Sequence, residues 1–217
     1  YSIPSDALRF VQSNMKFNSM MNSNNNSLML TSALPSEGKT LLSINLALAY
    51  ASSGKKVALI NLDLRRPSFD KYLLVQPEIG VVDYLIRDAD IDDICYFDTT
   101  NNLTVISSGK LPEGSEHYPT NLLGSNRMIQ LIDILKTKYD MILIDTPPIN
   151  LIAETLDIAR HINNIMLVID SSKTSIKELV ETKNILNGKN LNIVGMVMNN
   201  FGKGNLGYQS SYTKNIN

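Results

Sequence analysis

An octapeptide loop between an apolar run and a helical segment is the feature that most restricts the fold of this chain. Residues 28–31 form a short apolar run typical of a buried strand, and residues 41–50 are apolar on nearly all sides, as a packed helix requires. Between them lies Ala33-Leu34-Pro35-Ser36-Glu37-Gly38-Lys39-Thr40. A strand-to-helix loop of this kind offers backbone N–H groups and a positive helix end to an anion. The sequence therefore predicts a phosphate-binding loop.

Further apolar runs predict the rest of a sheet around this loop. Their continuous hydrophobicity is typical of strands covered on both faces, and they cover residues 56–61, 103–106, 141–144, 165–169 and 192–198. Helical segments alternate with them near residues 125–138, 154–162 and 174–188. The alternation predicts an α/β fold with right-handed crossovers and a largely parallel central sheet with helices on both faces. Ligands of such a sheet bind at the carboxyl ends of its strands.

Length and composition favour one domain in a reducing compartment. The 217 residues suffice for one well-buried domain, whereas two domains would each lie near the lower limit of independent stability. The 20 Lys and Arg nearly balance the 21 Asp and Glu, so we expect no nucleic-acid partner. Cys95 is the single cysteine, which excludes an intrachain disulfide and fits the cytoplasm. No apolar run has the roughly 18 residues of a membrane span, although a membrane segment before Tyr1 stays open.

The two ends of the chain differ from its centre. Leu8, Val11 and Met15 recur at helical spacing, so residues 5–20 are predicted to form an amphipathic helix within an N-terminal segment 1–22. Residues 202–217 are rich in Gly, Ser, Asn, Lys and Tyr and are predicted to be a mobile tail. We therefore expect a single domain over residues 1–201, followed by this tail.

Polar residues follow two of the predicted strands at the edge where the phosphate loop lies. Asp145 ends an apolar strand just before two prolines, where it is placed to hold Mg²⁺ or its waters, although an Asp that begins a turn is common. Asp63 and Arg65 follow residues 56–61 and would face the same cleft, although alone they are more often a strand-end salt bridge. In the loop itself, Lys39 would reach the β- and γ-phosphates of a nucleotide and Thr40 would bind Mg²⁺.

These pieces, taken in order, resemble the Walker A, Walker A′ and Walker B motifs of the bacterial tyrosine kinases, which act with capsular and exopolysaccharide co-polymerases. Residues 119–128 and 139–150 are also similar to family signatures. The resemblance implies Mg-ATP as the cofactor and Asn199 as a contact to adenine. The site residues that it implies are catalytic Lys39, Asn61, Asp63, Arg65 and Asp145; nucleotide-binding Ser36, Glu37, Gly38, Lys39, Thr40, Leu41 and Asn199; metal-binding Thr40, Asp63 and Asp145; and phosphoacceptors Tyr208 and Tyr212.

The resemblance also implies a function and a setting. It indicates an ATP-dependent protein-tyrosine kinase that regulates polysaccharide synthesis and export, is cytoplasmic, and is recruited to the inner face of the plasma membrane. Its expected partners are a membrane co-polymerase or activator protein and further copies of the chain in a ring. The deviant Walker A ATPases of the MinD and ParA class share this P-loop NTPase fold, but they carry an extra lysine where this chain has Leu34.

Three departures from the family pattern bear on activity. The first Asp of Walker A′ is replaced by Asn61, so the chain lacks a group that relatives use to assist the attacking tyrosine hydroxyl. The ring-forming helix motif Glu-x-x-Arg-x-x-Arg reads here Asp6, Arg9 and Gln12, which predicts weaker assembly. The tail retains two of the tyrosines that form a cluster in relatives. An ATP-binding switch or scaffold with weakened catalysis is therefore the alternative.

Overall fold

The computed structural model describes residues 5–17, 26–73, 77–114, 122–162, 164–188 and 191–200, and the structural statements below refer to these residues. The strands are β1 (Ser27–Ser32), β2 (Val57–Asn61), β3 (Tyr96–Asp98), β4 (Leu103–Ile106), β5 (Met141–Asp145), β6 (Ile165–Asp170) and β7 (Ile193–Asn199). The helices are α1 (Ser5–Phe17), α2 (Lys39–Ser52), α3 (Val81–Ile86), α4 (Ile91–Ile94), α5 (Asn126–Lys138), α6 (Glu154–Ala159) and α7 (Ile176–Asn187), with a 3₁₀ turn at Phe69–Lys71.

The strands form one seven-stranded sheet in the order β3-β4-β2-β5-β1-β6-β7. All neighbouring strands run parallel except β3, which pairs antiparallel with β4. The six predicted strands are present, so the predicted parallel sheet is confirmed. The sequence reading missed β3 because Tyr96 and Phe97 are exposed and give no buried apolar run. A turn joins β3 to β4. In this turn the Asp98 side chain accepts hydrogen bonds from the backbone N–H groups of Thr100 and Asn101.

Two apolar clusters cover the two faces of the sheet. Alternate residues of β2 and β5 point to opposite faces, so Leu59 and Leu143 pack with α2 whereas Ile60 and Ile144 pack in the cluster that contains α5. The same alternation shows on which face of the sheet the last residues of β2 and β5 lie. Asn61 and Asp145 are register partners two residues beyond Leu59 and Leu143, so both lie on the α2 face.

The N-terminal helix α1 packs on α2. Leu8 and Met15 are buried in the cluster that contains α2, and the Tyr50 hydroxyl donates to the Met15 sulfur at 3.6 Å. The predicted helix over residues 5–20 is observed over Ser5–Phe17, and residues 18–20 lie outside the described ranges. Across those ranges, no helix combines the length and the apolar character needed to cross a bilayer.

Candidate active site

Asp145 lies at the centre of the site, at the carboxyl end of β5 between β1 and β2. Its side chain is fully buried and accepts hydrogen bonds from three groups of α2. Oδ1 lies 3.1 Å from Lys39 Nζ and 3.3 Å from Ser43 Oγ, and Oδ2 lies 2.7 Å from Thr40 Oγ1. The structure therefore brings the predicted Walker A and Walker B residues into direct contact, with Ser43 added to them.

A cleft of about 710 Å³ opens beside this cluster, which is within the usual size range of small-molecule sites. The phosphate loop forms one wall, Asp63 forms another, and the remaining lining residues include Arg65, Arg66, Lys71, Tyr72 and Leu151. Burial raises the pKa of Asp63, and the nearby Asp145 carboxylate raises it further, whereas the Arg66 backbone N–H and the Lys39 ammonium oppose this rise. Four cationic side chains and the Asp63 carboxylate thus line the cleft, and the buried Asp145 carboxylate lies behind Lys39 and Thr40, an arrangement that suits a magnesium polyphosphate.

The phosphate loop adopts a backbone shape that its glycine permits. Gly38 has φ 91 and Ser36 has φ 61, both in the left-handed region. A Cβ on Gly38 would lie 2.1 Å from Nδ2 of Asn199, so any other residue would displace that side chain and would also be strained at φ 91. Nδ2 of Asn199 also donates to the backbone oxygen of Glu37 at 3.0 Å. The structure therefore places Asn199 directly against the loop, and Leu41 lines the same cleft.

Glu37 has a different setting from the other predicted nucleotide contacts. Its carboxylate accepts hydrogen bonds from the backbone N–H of Leu34 and from groups at the end of β6. It is 1% exposed. Only the backbone N–H of Glu37 is therefore offered to a phosphate, and the predicted binding role does not extend to its side chain.

Asn61 lines a second cavity, of about 440 Å³, next to the first one. Its Oδ1 accepts a hydrogen bond from the backbone N–H of Asp63 at 3.0 Å, which ties it to the Walker A′ segment. Buried Phe69 and Val105 form apolar walls of the cavity. Its exposed rim carries the charged residues Asp70, Glu78 and Lys110. The Walker A′ asparagine thus belongs to a neighbouring cavity rather than to the lining of the phosphate cleft.

Sequence reasoning missed two residues of the site. Ser43 lies one helical turn after Lys39, so helical spacing from the loop lysine would have found it. Ser68 donates to the Thr40 hydroxyl at 3.3 Å, and only the tertiary fold reveals that contact. Tyr208 and Tyr212 lie outside the described residues.

The donor set suits Mg²⁺. Over the ranges that the structure covers, no three His, Cys, Asp or Glu side chains form a metal-binding group. Magnesium needs no such cage, because it is held through one or two carboxylates together with waters and substrate phosphates. Thr40 and Asp63 line the cleft, and Asp145 lies directly behind Thr40, so a hydroxyl and two carboxylates are close together and these residues fit the metal.

The fold and the site define a P-loop nucleotide-binding domain. The model of the AAA domain family matches residues 36–193, which is more than half of the chain. The chain is 31% identical over 198 residues to the tyrosine-protein kinase YwqD of Bacillus subtilis, covering 91% of this chain and 81% of that protein. The chain belongs to the bacterial tyrosine kinase family, which confirms the resemblance and the fold class.

A solved structure and a longer relative agree with this assignment. The kinase domain of the Escherichia coli tyrosine kinase ETK superposes with a TM-score of 0.83 at 30% identity, covering 89% of this chain and 74% of that one. The putative tyrosine-protein kinase EpsB of Ralstonia solanacearum is 31% identical over 194 residues, covering 89% of this chain. The chain spans only 25% of the length of EpsB.

Proposed function

We propose that this chain is an ATP-dependent protein-tyrosine kinase. The observation that carries the proposal is the convergence of Lys39, Thr40 and Ser43 on the buried Asp145 carboxylate. Phosphoryl transfer depends mainly on positioning and on neutralisation of charge, and this arrangement supports both. In the reaction the tyrosine oxygen bonds to the γ-phosphorus, the bond from that phosphorus to the β–γ bridging oxygen breaks, and the hydroxyl proton passes to solvent water as ADP leaves.

Each residue of the cleft has a proposed part in this step. The Lys39 ammonium binds the β- and γ-phosphates, and backbone N–H groups of residues 36–41 orient the phosphate chain. Thr40, Asp63 and Asp145 would hold Mg²⁺, which when bound neutralises the charge that develops on the phosphate oxygens. Arg65, on the same cleft wall as Asp63, adds a further positive charge.

We propose that the acceptor tyrosine enters through the cavity that Asn61 lines. Phe69 and Val105 offer apolar contacts to an aromatic ring, and the Asn61 amide can orient a hydroxyl at the end nearest Asp63. The rim carries two acidic side chains and one basic side chain, which favours an acceptor with basic neighbours. Residues 202–217 fit that description, because they contain Tyr208 and Tyr212 together with two lysines and no Asp or Glu.

The setting of the enzyme is also a proposal. We infer that the kinase phosphorylates tail tyrosines of neighbouring copies and regulates polysaccharide synthesis and export from the inner face of the plasma membrane, with a membrane co-polymerase or activator as partner. Exposed Asp6 and Arg9 on α1 leave two of the three members of the ring-forming charge pattern available. Because Gln12 replaces its last member, we expect a monomer or a weak oligomer that assembles more tightly with the partner.

A second candidate function is an ATP-dependent switch that docks on the co-polymerase without catalysing phosphoryl transfer. Asn61 favours it, because a neutral amide can orient a hydroxyl but cannot accept its proton. The nucleotide-binding residues serve both functions equally, so ATP binding alone does not separate them.

Phosphotyrosine formation separates the two functions. The purified protein is incubated with labelled ATP and Mg²⁺, alone and with a juxtamembrane peptide of the co-polymerase, and Lys39→Met is the matched control. Label on tyrosine in the wild type and none in Lys39→Met supports the kinase. Tight ATP binding without label under both conditions refutes the kinase and supports the switch.

A further inference from the structure

Glu37 is a buried carboxylate surrounded by hydrogen-bond donors. Oε2 accepts from the backbone N–H of Leu34 at 2.6 Å, and Oε1 accepts from the backbone N–H of Asp170 at 3.2 Å and from the Thr174 hydroxyl. The Thr174 oxygen itself accepts from the Asp170 N–H at 3.1 Å, so its proton is directed to Glu37. Every described partner of the carboxylate therefore donates.

The same turn at the end of β6 contacts the phosphate loop a second time. The Lys173 ammonium donates to the backbone oxygen of Ser36 at 3.0 Å. Asp170 is itself fixed in place, since its buried side chain accepts from Ser172 and Asn200. We call residues 170–174 the β6 turn. This turn holds the phosphate loop at two points, the Glu37 carboxylate and the backbone oxygen of Ser36.

We infer that Glu37 is a positioning residue that holds the phosphate loop in its anion-binding shape by anchoring it to the β6 turn. This inference rests on the nucleotide-binding part of the proposed function. Ser36 has φ 61, and a non-glycine residue keeps such a conformation only where its surroundings over-determine it. Glu37, the residue after Ser36, supplies that constraint. Its carboxylate bonds both to Leu34, which precedes Ser36, and to the β6 turn.

Glutamine has the same shape as glutamate but cannot make all of its hydrogen bonds here. If its amide NH₂ takes the place of Oε2, it faces the Leu34 N–H, and if it takes the place of Oε1, it faces the Asp170 N–H. In the first orientation the Leu34 N–H loses its acceptor, and in the second the Thr174 hydroxyl loses its acceptor while the Asp170 N–H keeps only the Thr174 oxygen. Glu37→Gln is therefore expected to release the loop from the β6 turn.

The sign of the effect on ATP affinity distinguishes positioning from direct contact. If the carboxylate faced the phosphates, its neutralisation would remove charge repulsion and strengthen ATP binding. Positioning predicts the opposite. We expect Glu37→Gln to weaken Mg-ATP binding by about tenfold or more in calorimetry. The backbone amides of Leu34 and of residues 36–40 should also exchange hydrogen faster in the protein without ATP.

A matched control and a milder variant complete the test. The control Glu178→Gln also neutralises a carboxylate that accepts a hydrogen bond from a backbone N–H, that of Ser175. Glutamine at this position can still cap α7. The ATP affinity and the amide hydrogen exchange of this variant should therefore match those of the wild type. Thr174→Val deletes one donor and keeps the carboxylate, so the fold should survive and ATP should bind about two- to fivefold more weakly. If Glu37→Gln does not fold, the Thr174→Val result decides.

The outcomes keep this inference separate from the proposed function. Unchanged or stronger ATP binding in Glu37→Gln, or unchanged amide exchange of Leu34 and of residues 36–40, overturns the positioning role. An equal loss of affinity in Glu178→Gln overturns it too, because the effect would then be general. A wild type that binds ATP without phosphorylating tyrosine refutes the kinase and leaves the inference standing, whereas a wild type that does not bind Mg-ATP refutes both.

Discussion

The Lys39 ammonium lies 3.1 Å from Oδ1 of Asp145, and the two side chains are 9% and 1% exposed. The cation assigned to the nucleotide phosphates is therefore also the counter-ion of the carboxylate assigned to the metal. A buried ion pair contributes little net stability, but removal of one partner leaves an uncompensated charge. The site therefore couples the stability of the nucleotide-free protein to the residue that we propose binds the nucleotide.

Lys39→Met should weaken Mg-ATP binding and also destabilise the fold. We expect ATP affinity to fall more than about tenfold, a loss of at least about 1.4 kcal/mol, since the ammonium that reaches the phosphates is removed. The free energy of unfolding should fall by about 3 kcal/mol, because Asp145 then keeps only the Thr40 and Ser43 hydroxyls. Calorimetry and urea denaturation measure the two effects.

The double variant Lys39→Met with Asp145→Asn separates the two roles of Lys39. Neutralising both partners removes the unpaired charge, so most of the lost stability should return, whereas ATP binding should stay weak. Unchanged ATP affinity in Lys39→Met would overturn the assignment of the phosphate loop. Recovery of ATP binding in the double variant would show that Lys39 acts only as a counter-ion.

Tyr50 makes the packing of α1 on α2 sensitive to alkaline pH. Burial raises the pKa of Tyr50 from 10.0 to about 12. The folded state favours the neutral phenol, so this group stabilises the fold fully below pH 10 and the contribution is lost as the pH rises through 12. Two pKa units correspond to about 2.7 kcal/mol at most.

The Tyr50→Phe variant tests this dependence. Urea denaturation between about pH 8 and 11 should show a decline of stability in the wild type that is shallower in Tyr50→Phe. Some decline should remain, because burial also raises the pKa of Tyr139. Tyr96→Phe, at an exposed position of β3, is the control and should behave as the wild type. Equal slopes in Tyr50→Phe and the wild type would contradict the prediction.

The sequence predicted the elements whose signal is local. Strands β2 and β5 are continuous apolar runs because helices cover both faces of the parallel sheet, and carboxylates at the ends of such strands converge on one edge. Lys39, Asp63 and Asp145 were therefore found together from the sequence. The short strand β3 was not predicted, because its pairing depends on the turn at Asp98 rather than on burial.

Side-chain direction at the site could not be predicted, because it depends on partners distant in the chain. Glu37 lies within the loop motif, yet its carboxylate bonds to Asp170 and Thr174, more than 130 positions away. Asn61 belongs to the Walker A′ segment by sequence, but Phe69 and Val105 place it in a separate cavity. Motif spacing fixes which backbone positions meet, whereas the surrounding fold decides where each side chain points.

The acidic rim of the second cavity should select acceptors with basic neighbours. Glu78→Lys reverses the charge of an exposed rim residue, so the KM for a peptide of residues 202–217 should rise about threefold or more, with ATP affinity unchanged. Glu181→Lys, on the exposed face of α7, is the matched control. The effect should shrink at high salt, because the charges are exposed. An unchanged KM in Glu78→Lys would place the acceptor elsewhere.

Asn61→Asp should increase the rate of tyrosine phosphorylation. The new carboxylate keeps an acceptor for the Asp63 N–H, and burial together with the nearby Asp63 and Asp145 should raise its pKa toward neutrality, where a general base works best. General-base assistance contributes about two to four orders of magnitude in rate, and a loose phosphoryl-transfer transition state needs less of it. We therefore expect an increase of about tenfold or more in kcat.

ATP affinity should change little in Asn61→Asp, because the carboxylate acts in the transition state rather than in ground-state binding. The variant should be less stable than the wild type without Mg²⁺, since a further buried charge joins Asp63 and Asp145. Asn126→Asp adds the same charge at an exposed position and should leave the rate unchanged. If the wild type is already fast and Asn61→Asp does not change its kcat, Asp63 accepts the tyrosine proton and Asn61 only orients the hydroxyl.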